Sequence, residues 1–412
     1  MSLAQGFRDC GLHYEYDART GDTILSANRK GSEIDLRSAA SLIRSTAGRF
    51  ELNLSGAAIS SVEPLRGLSE LTSLDLTGVN AQDFSVLSTL SGLERLSLSR
   101  TSFTDFQSLR SLSHLSFLDM SGARPTNVDG INYLPRLRWL VLDDMPNLRN
   151  LKGLRGSQSI SVISAQGTKR LTNLEGLSYL PNLYSMSLSN SGILALRGMR
   201  ELPSLAFLDL SSTRIQSLTP DGEFNRLEEL SLLDTPELRS LKNLIAFPNL
   251  HRLNVSRARK LTNLLGVGRL RMLSALSIVD SSVTEISDVK GCFSLRSLIL
   301  AKCPLREVTS LSALPQLECL ILESTRVFDL TPVEPMQHLV YLSLTATPVS
   351  DISCLSGLLS LTDLNLSKCK VRSVAPLVKL RHLKRLDLSG THVNDYDLLE
   401  SPGLRLTLRT SR

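Results

Sequence analysis

Two kinds of chemistry are conceivable from the reactive side chains of this sequence: catalysis or metal binding by thiols and imidazoles, and recognition by exposed rings and charges. The thiols are Cys10, Cys292, Cys303, Cys319, Cys354 and Cys369, and the imidazoles are His13, His114, His251, His338, His382 and His392. A metal set or a nucleophile–base pair needs such groups clustered, as in C-x-x-C or H-E-x-x-H. Here no two cysteines stand as C-x-x-C, and the histidines are scattered along the chain. No phosphate loop of the G-x-x-x-x-G-K-[ST] type and no G-x-S-x-G elbow occurs. Gly266-Val-Gly268 lacks the third glycine of a dinucleotide loop. These residues predict no enzyme, no cofactor, no metal and no small-molecule substrate.

Recognition has more to work with. Phe117, Trp139, Val141, Val162, Tyr184 and Phe207 fall within one stretch of the chain, and Tyr341 stands further on. Near the C-terminus, residues 366–412 hold ten Lys/Arg against four acids, which equals the net charge of the whole chain, +6. Lys368, Lys370, Lys379, Arg381, Lys384 and Arg385 are the members of that group best suited to phosphate or an acidic partner. A polar cap over the end of a fold accounts for the same charges. Which of these side chains reach solvent depends on the elements that carry them.

Those elements are repeats. When the last leucine of L-x-x-L-x-L is set in one column, the column runs through Leu54, Leu76, Leu98, Met120, Leu142, Ala165, Leu188 and Leu210. It continues through Leu232, Val255, Ile278, Leu300, Leu322, Leu344, Leu366 and Leu388. Eleven of the fifteen spacings are 22 residues and four are 23. L-x-x-L-x-L alternates with period two, so each row predicts a strand with its leucines turned inward. A second apolar position follows five residues on, as in Val349 and Val371, and others at eight, eleven and fourteen. Spacings of three suit a 3₁₀ or short helical return path. One row cannot bury its leucines alone, so neighbours stack.

The four long rows carry their extra residue just after the strand, before Leu148, Leu171, Leu238 and Leu261, which predicts local loosening. A turn at Asp221-Gly222 predicts a bulge, and Ser157 breaks the apolar pattern in the same way. Residues 1–50 read as an N-terminal cap: a hairpin of Leu12–Tyr16 with Thr23–Leu25, then a helix over Ser38–Ala47. Residues 51–402 are sixteen repeats, and residues 403–412 a closing strand.

This pattern resembles the leucine-rich-repeat family over almost the whole chain. The 22-residue rows are most similar to the short class found in the nuclear regulator of protein phosphatase 1 and in bacterial internalins. Val349-Ser-Asp-Ile-Ser-Cys-Leu and Val371-Arg-Ser-Val-Ala-Pro-Leu carry that resemblance. It implies an α/β fold, a right-handed solenoid or horseshoe with a parallel sheet on its concave face and 3₁₀ or helical turns on its convex face. Many relatives place Asn three residues after the column, bonding the backbone of adjacent turns. In this chain the position is Thr in seven rows, Ser in two and Cys in two, so a hydroxyl ladder is expected to take over that role.

Strand residues between the leucines then face out onto the concave sheet. Most are small and polar, and the exception is the group from Phe117 to Phe207, with Tyr184 at its margin. An aromatic patch with a polar rim predicts a protein-binding site. The bland alternative is that the rings cover one another or pack under the N-terminal cap. Ile299, Ile321 and Tyr341 form a weaker second line.

Nothing here reads as membrane-borne: no run reaches the roughly 18 to 20 apolar residues of a span. The first residues lack the order of a secretory signal, and acids such as Asp9 and Glu15 argue against a mitochondrial presequence. The sequons at Asn53, Asn254 and Asn365 fall inside strands and read as chance. The expectation is an intracellular, chiefly cytoplasmic scaffold or adaptor gripping a protein on its concave face, with nucleus or organelle left open. A structural subunit of a ribonucleoprotein, held on RNA by the basic C-terminal rows, is the alternative. A regulatory subunit of a phosphatase is a third reading, implied by the resemblance alone. Salt dependence of binding separates protein from RNA.

Overall fold

The strands of the first two rows have five residues and those of the later rows three, centred on the inward apolar residue two before the column, after which the chain leaves the sheet. The structure, a computed structural model, describes residues 2–27, 31–399 and 403–408. The chain divides into two compact units, residues 1–205 with 220–222, and residues 206–219 with 223–412.

In the first unit, helix α1 (Leu3–Asp9) precedes the hairpin β1 (Leu12–Asp17) and β2 (Asp22–Ala27), and helix α2 (Leu36–Ser45) follows. The strands of the rows are β3 (Arg49–Asn53), β4 (Leu71–Asp75), β5 (Arg95–Ser97), β6 (Phe117–Asp119), β7 (Trp139–Val141), β8 (Val162–Ser164) and β9 (Ser185–Ser187). β1 and β2 are antiparallel, and β2 then joins the parallel series by pairing with β3. Helix α2 starts two residues earlier than predicted because Asp35 is its cap, accepting from the Ser38 N–H at 3.1 Å. It buries Leu36, Ala39, Ala40 and Ile43, one face at helical spacing. Helix α1 was not predicted. Its Phe7 is fully buried, with its ring 6.2 Å from Phe50 and 6.1 Å from Tyr14, so it closes the apolar end of the coil.

The second unit holds β10 (Phe207–Asp209), β11 (Glu229–Ser231), β12 (Arg252–Asn254), β13 (Ala275–Ser277), β14 (Ser297–Ile299) and β15 (Cys319–Ile321). It continues with β16 (Tyr341–Ser343), β17 (Asp363–Asn365), β18 (Arg385–Asp387) and β19 (Arg405–Thr407). All pair in parallel with the next in line, residue for residue. Arg409 and Arg412, counted above in the basic end, lie outside the described residues, as do residues 400–402.

Column residues such as Leu76, Leu98, Leu300 and Leu344 are fully buried. Each such burial contributes about 1.5–3 kcal/mol. Most return paths carry 3₁₀ segments of three to five residues, such as Phe106–Leu109 and Thr309–Ala313, whereas those after β8, β9 and β10 carry none; no α-helix lies on a described return path. Phe84, Phe103 and Phe106 pack edge to face at 5.8 and 5.7 Å, filling the first unit between rows. In the long row after β7, Asn147 Nδ2 donates to the Arg124 carbonyl at 3.2 Å, and the Arg149 N–H to Thr126 at 2.9 Å. Asp221 turns outward and accepts from the Gly198 N–H at 2.8 Å.

Two features of the turn after each strand escaped the sequence reading. The residue two past the column has a left-handed backbone in all sixteen rows, yet only Gly56, Gly78, Gly122, Gly167 and Gly390 are glycine. Elsewhere Arg100, Ala346, Lys368 and others take that conformation. The second feature corrects the hydroxyl ladder. Every Thr at the ladder position donates to the carbonyl of its own column residue, as Thr213 does to Leu210 at 2.6 Å and Thr347 to Leu344 at 2.7 Å. At this position the bonds to the backbone of an adjacent row come from thiols: Cys303 donates to Ile278 at 3.3 Å and Cys369 to Leu344 at 3.0 Å, each one row back, while Thr347 Oγ1 lies 3.4 Å from Cys369 Sγ.

Candidate interaction face on the strand side

Side chains one before and three before the column point away from the leucine core. At the position one before it, Asp and Asn are not free acids or amides. Asn53, Asp75, Asp119, Asn254, Asn365 and Asp387 each accept from the N–H two residues on, at 2.8–3.0 Å, closing the turn that ends the strand. One oxygen of each of these groups therefore serves the fold.

Against that background the first unit carries one apolar group. Phe117, Trp139 and Val162 are register partners on β6, β7 and β8. Val141 stands between Asp119 and Ser164 on the same strands. Trp139 is 51% exposed, and Phe117, Val141 and Val162 are half-buried. The Arg95 guanidinium lies 4.4 Å from the Phe117 ring centroid. The acids around the group are engaged: Asp119 accepts from Ser121 Oγ at 2.6 Å, and Asp143 from Ser164 Oγ at 2.6 Å and the Gln166 N–H at 2.8 Å. Tyr184, just before β9, is 49% exposed. Phe207 opens β10 in the second unit, half-buried beside Glu229.

The second unit holds the weaker line. Ile299 pairs with Ile321, and Tyr341 lies between Cys319 and Asp363. Burial pushes the Tyr341 phenol above its ordinary range, and the Glu323 charge adds to the shift. Asp363 forms an ion pair with Arg385 on the next strand, and that hydrogen bond holds its carboxyl below the usual range. Arg385 is thus committed to the sheet. Lys384 stands beside it, Lys368 and Lys370 follow β17, and Lys379 and Arg381 occupy the return path before β18; all five are exposed. The basic residues therefore sit at both ends of the strands and not at one point.

The cysteines are poor nucleophiles. Burial raises the Cys292 thiol to about 12 and that of Cys354 to about 11. Among the described residues, no three His, Cys, Asp or Glu side chains are grouped to hold a metal ion, and no helix is long and apolar enough to cross a membrane.

No family model matches the chain, and no curated protein is similar to it in sequence. Solved structures do match. An internalin (inlF) from Listeria monocytogenes is 18% identical, with 98% of this chain and 94% of the internalin covered, at a TM-score of 0.53. An LRR protein of Leptospira interrogans is 17% identical over 89% of this chain and 97% of its own, at 0.56. The chain has the leucine-rich-repeat fold. A third match, TLR13 in a TLR13–ssRNA13 complex, is 20% identical over 94% of this chain and 67% of its own, at 0.56. At such identities the likeness is one of fold, and the outward side chains of this leucine-rich-repeat coil are its own.

Proposed function

We propose that this protein is a recognition scaffold that binds a protein partner on the strand face of its first unit, with Trp139 as the anchor. One observation carries the reading: a half-exposed tryptophan stands beside Phe117, Val141 and Val162 on a strand face whose other outward residues are mostly small and polar. Central aromatic anchors ringed by near-neutral contacts dominate interface energies. Non-enzymatic binding also accords with thiols that burial holds protonated. An intracellular setting fits six unbridged cysteines.

The test is capture from native extract with wild type and with Phe117→Glu/Trp139→Glu, folding being checked by circular dichroism. Loss of one protein species from the double variant, with RNA content unchanged, supports the scaffold. An unchanged set of captured proteins overturns it.

The ribonucleoprotein reading draws on the exposed Lys368, Lys370, Lys379, Arg381 and Lys384. Their dispersal and the Arg385–Asp363 pair favour the protein-binding reading over RNA held at that end. No observation favours a phosphatase regulator in particular.

A further inference from the structure

The return side of the first unit carries a different surface. Twelve to fourteen residues past the column, successive rows present Arg110, Tyr133, Arg155, Tyr179 and Arg200, all exposed. Cations and rings alternate. The Arg110 guanidinium lies 3.9 Å from the Tyr133 ring centroid, and those of Arg155 and Arg200 lie 5.5 and 5.7 Å from Tyr179. Tyr133 remains 52% exposed and Tyr179 38%.

Three observations point to a ligand. First, Tyr179 has φ +59°, a left-handed backbone that a bulky side chain rarely adopts. The parallel bridge between Ser178 and Arg200 holds that segment in place, with the ring displayed between two guanidiniums. The same turn is left-handed at Gly67, Gly156 and Glu201, so the conformation belongs to the repeat, and what this row adds is an exposed ring on it. Second, none of the three arginines has a carboxylate within ion-pair reach among the described residues. The nearby acid Glu175 is taken by Lys152 at 3.0 Å. Third, the five return paths involved (residues 101–116, 123–138, 145–161, 168–184 and 191–205) hold eleven Lys/Arg and four Asp/Glu, a local excess of seven. A groove in the same rows is lined by His114, Arg136 and Arg138, and its one carboxylate, Glu94, pairs with Arg49 at 3.0 Å.

We infer that this stripe is a track for single-stranded nucleic acid. Unpaired bases stack on Tyr133 and Tyr179, extended by the guanidinium planes, while the arginines and the groove meet phosphates. A duplex hides its base faces and makes no use of the rings. An acidic peptide makes use of the cations alone. Five rows at about 4.8 Å span roughly 19 Å, room for a few nucleotides.

The experiment is fluorescence anisotropy of the full chain with a labelled oligouridylate of roughly 12 nucleotides, within the usual site size. The ring variant is Tyr133→Leu/Tyr179→Asn, Asn being tolerant of the left-handed backbone. It is expected to bind at least roughly tenfold more weakly with an unchanged salt slope. Arg110→Gln/Arg155→Gln/Arg200→Gln is expected to reduce the slope of log affinity against log salt by about 2, at roughly 0.7 per phosphate. Trp139→Ala, which adds no charge beside Arg138, is the control and retains binding, which keeps this result separate from the fate of the strand-face reading. No binding at low salt overturns the inference. So does a ring variant that binds like wild type, or polyglutamate or duplex binding as tightly as the single strand.

Discussion

Ala346 and Gly78 occupy the same place in their turns, with φ of +57° and +70°. For an L-residue other than Gly, Asn or Asp, that conformation costs roughly 1–2 kcal/mol, partly offset by the greater freedom glycine has when unfolded. A Cβ at Gly78 meets nothing within 4 Å, so its replacement tests backbone strain alone. Gly78→Ala should lower the urea midpoint by the equivalent of about 1 kcal/mol, and Ala346→Gly should raise it by somewhat less, both at constant m. Equal and small effects at the two sites would contradict the strain. Asp363 provides a titration test. Its folded pKa is held below the unfolded value of about 3.9 by Arg385, so the stabilisation is complete at neutral pH and drains away as pH falls through the folded value. The stability advantage of wild type over Asp363→Asn should therefore shrink on acidification below about pH 4, as read from melts across that range.

At the level of one repeat, the threonine three past the column secures its own turn. Thr213 is fully buried and donates to Leu210 at 2.6 Å. Thr213→Val keeps the shape and removes the bond, and should cost about 1 kcal/mol in denaturant melts, whereas Thr213→Ser should cost less. A neutral valine would show the bond to be dispensable. The strands were legible because burial on one face imposes period two, and the leucine column marks that face in every row. The return side was less legible. Arg110, Tyr133, Arg155, Tyr179 and Arg200 drift between twelve and fourteen residues from the column, so no fixed offset reveals the stripe. Row length and turn geometry bring them together.

Across a whole unit, stability is a sum of neighbouring interfaces, so damage stays local. Leu342, on β16, is fully buried between Leu320 and Leu364. Leu342→Ala should cost about 2–5 kcal/mol and open β15–β17 to hydrogen exchange while β5–β7 stay protected. Uniform loss of protection over both sets would contradict this. Charge also reads differently at this scale. Summed along the chain, residues 1–365 are balanced. The coil nevertheless sorts them, placing Asp119 on the strand side and Arg110, Arg155 and Arg200 on the return side of the same unit.

By itself the sequence determined the repeat, the inward leucines and the outward placement of Trp139, because hydrophobic periodicity is a local code that every row restates. Only the tertiary structure decided which outward groups remain available. Asp119, Asn254 and Arg385 are each bonded to partners whose reach depends on turn and register, while Trp139 is half-exposed. Contacts across rows, such as Arg95 over Phe117 or Arg200 beside Tyr179, join residues about 22 apart in sequence that the coil sets side by side. That distance is closed by stacking, and stacking is a property of the folded chain.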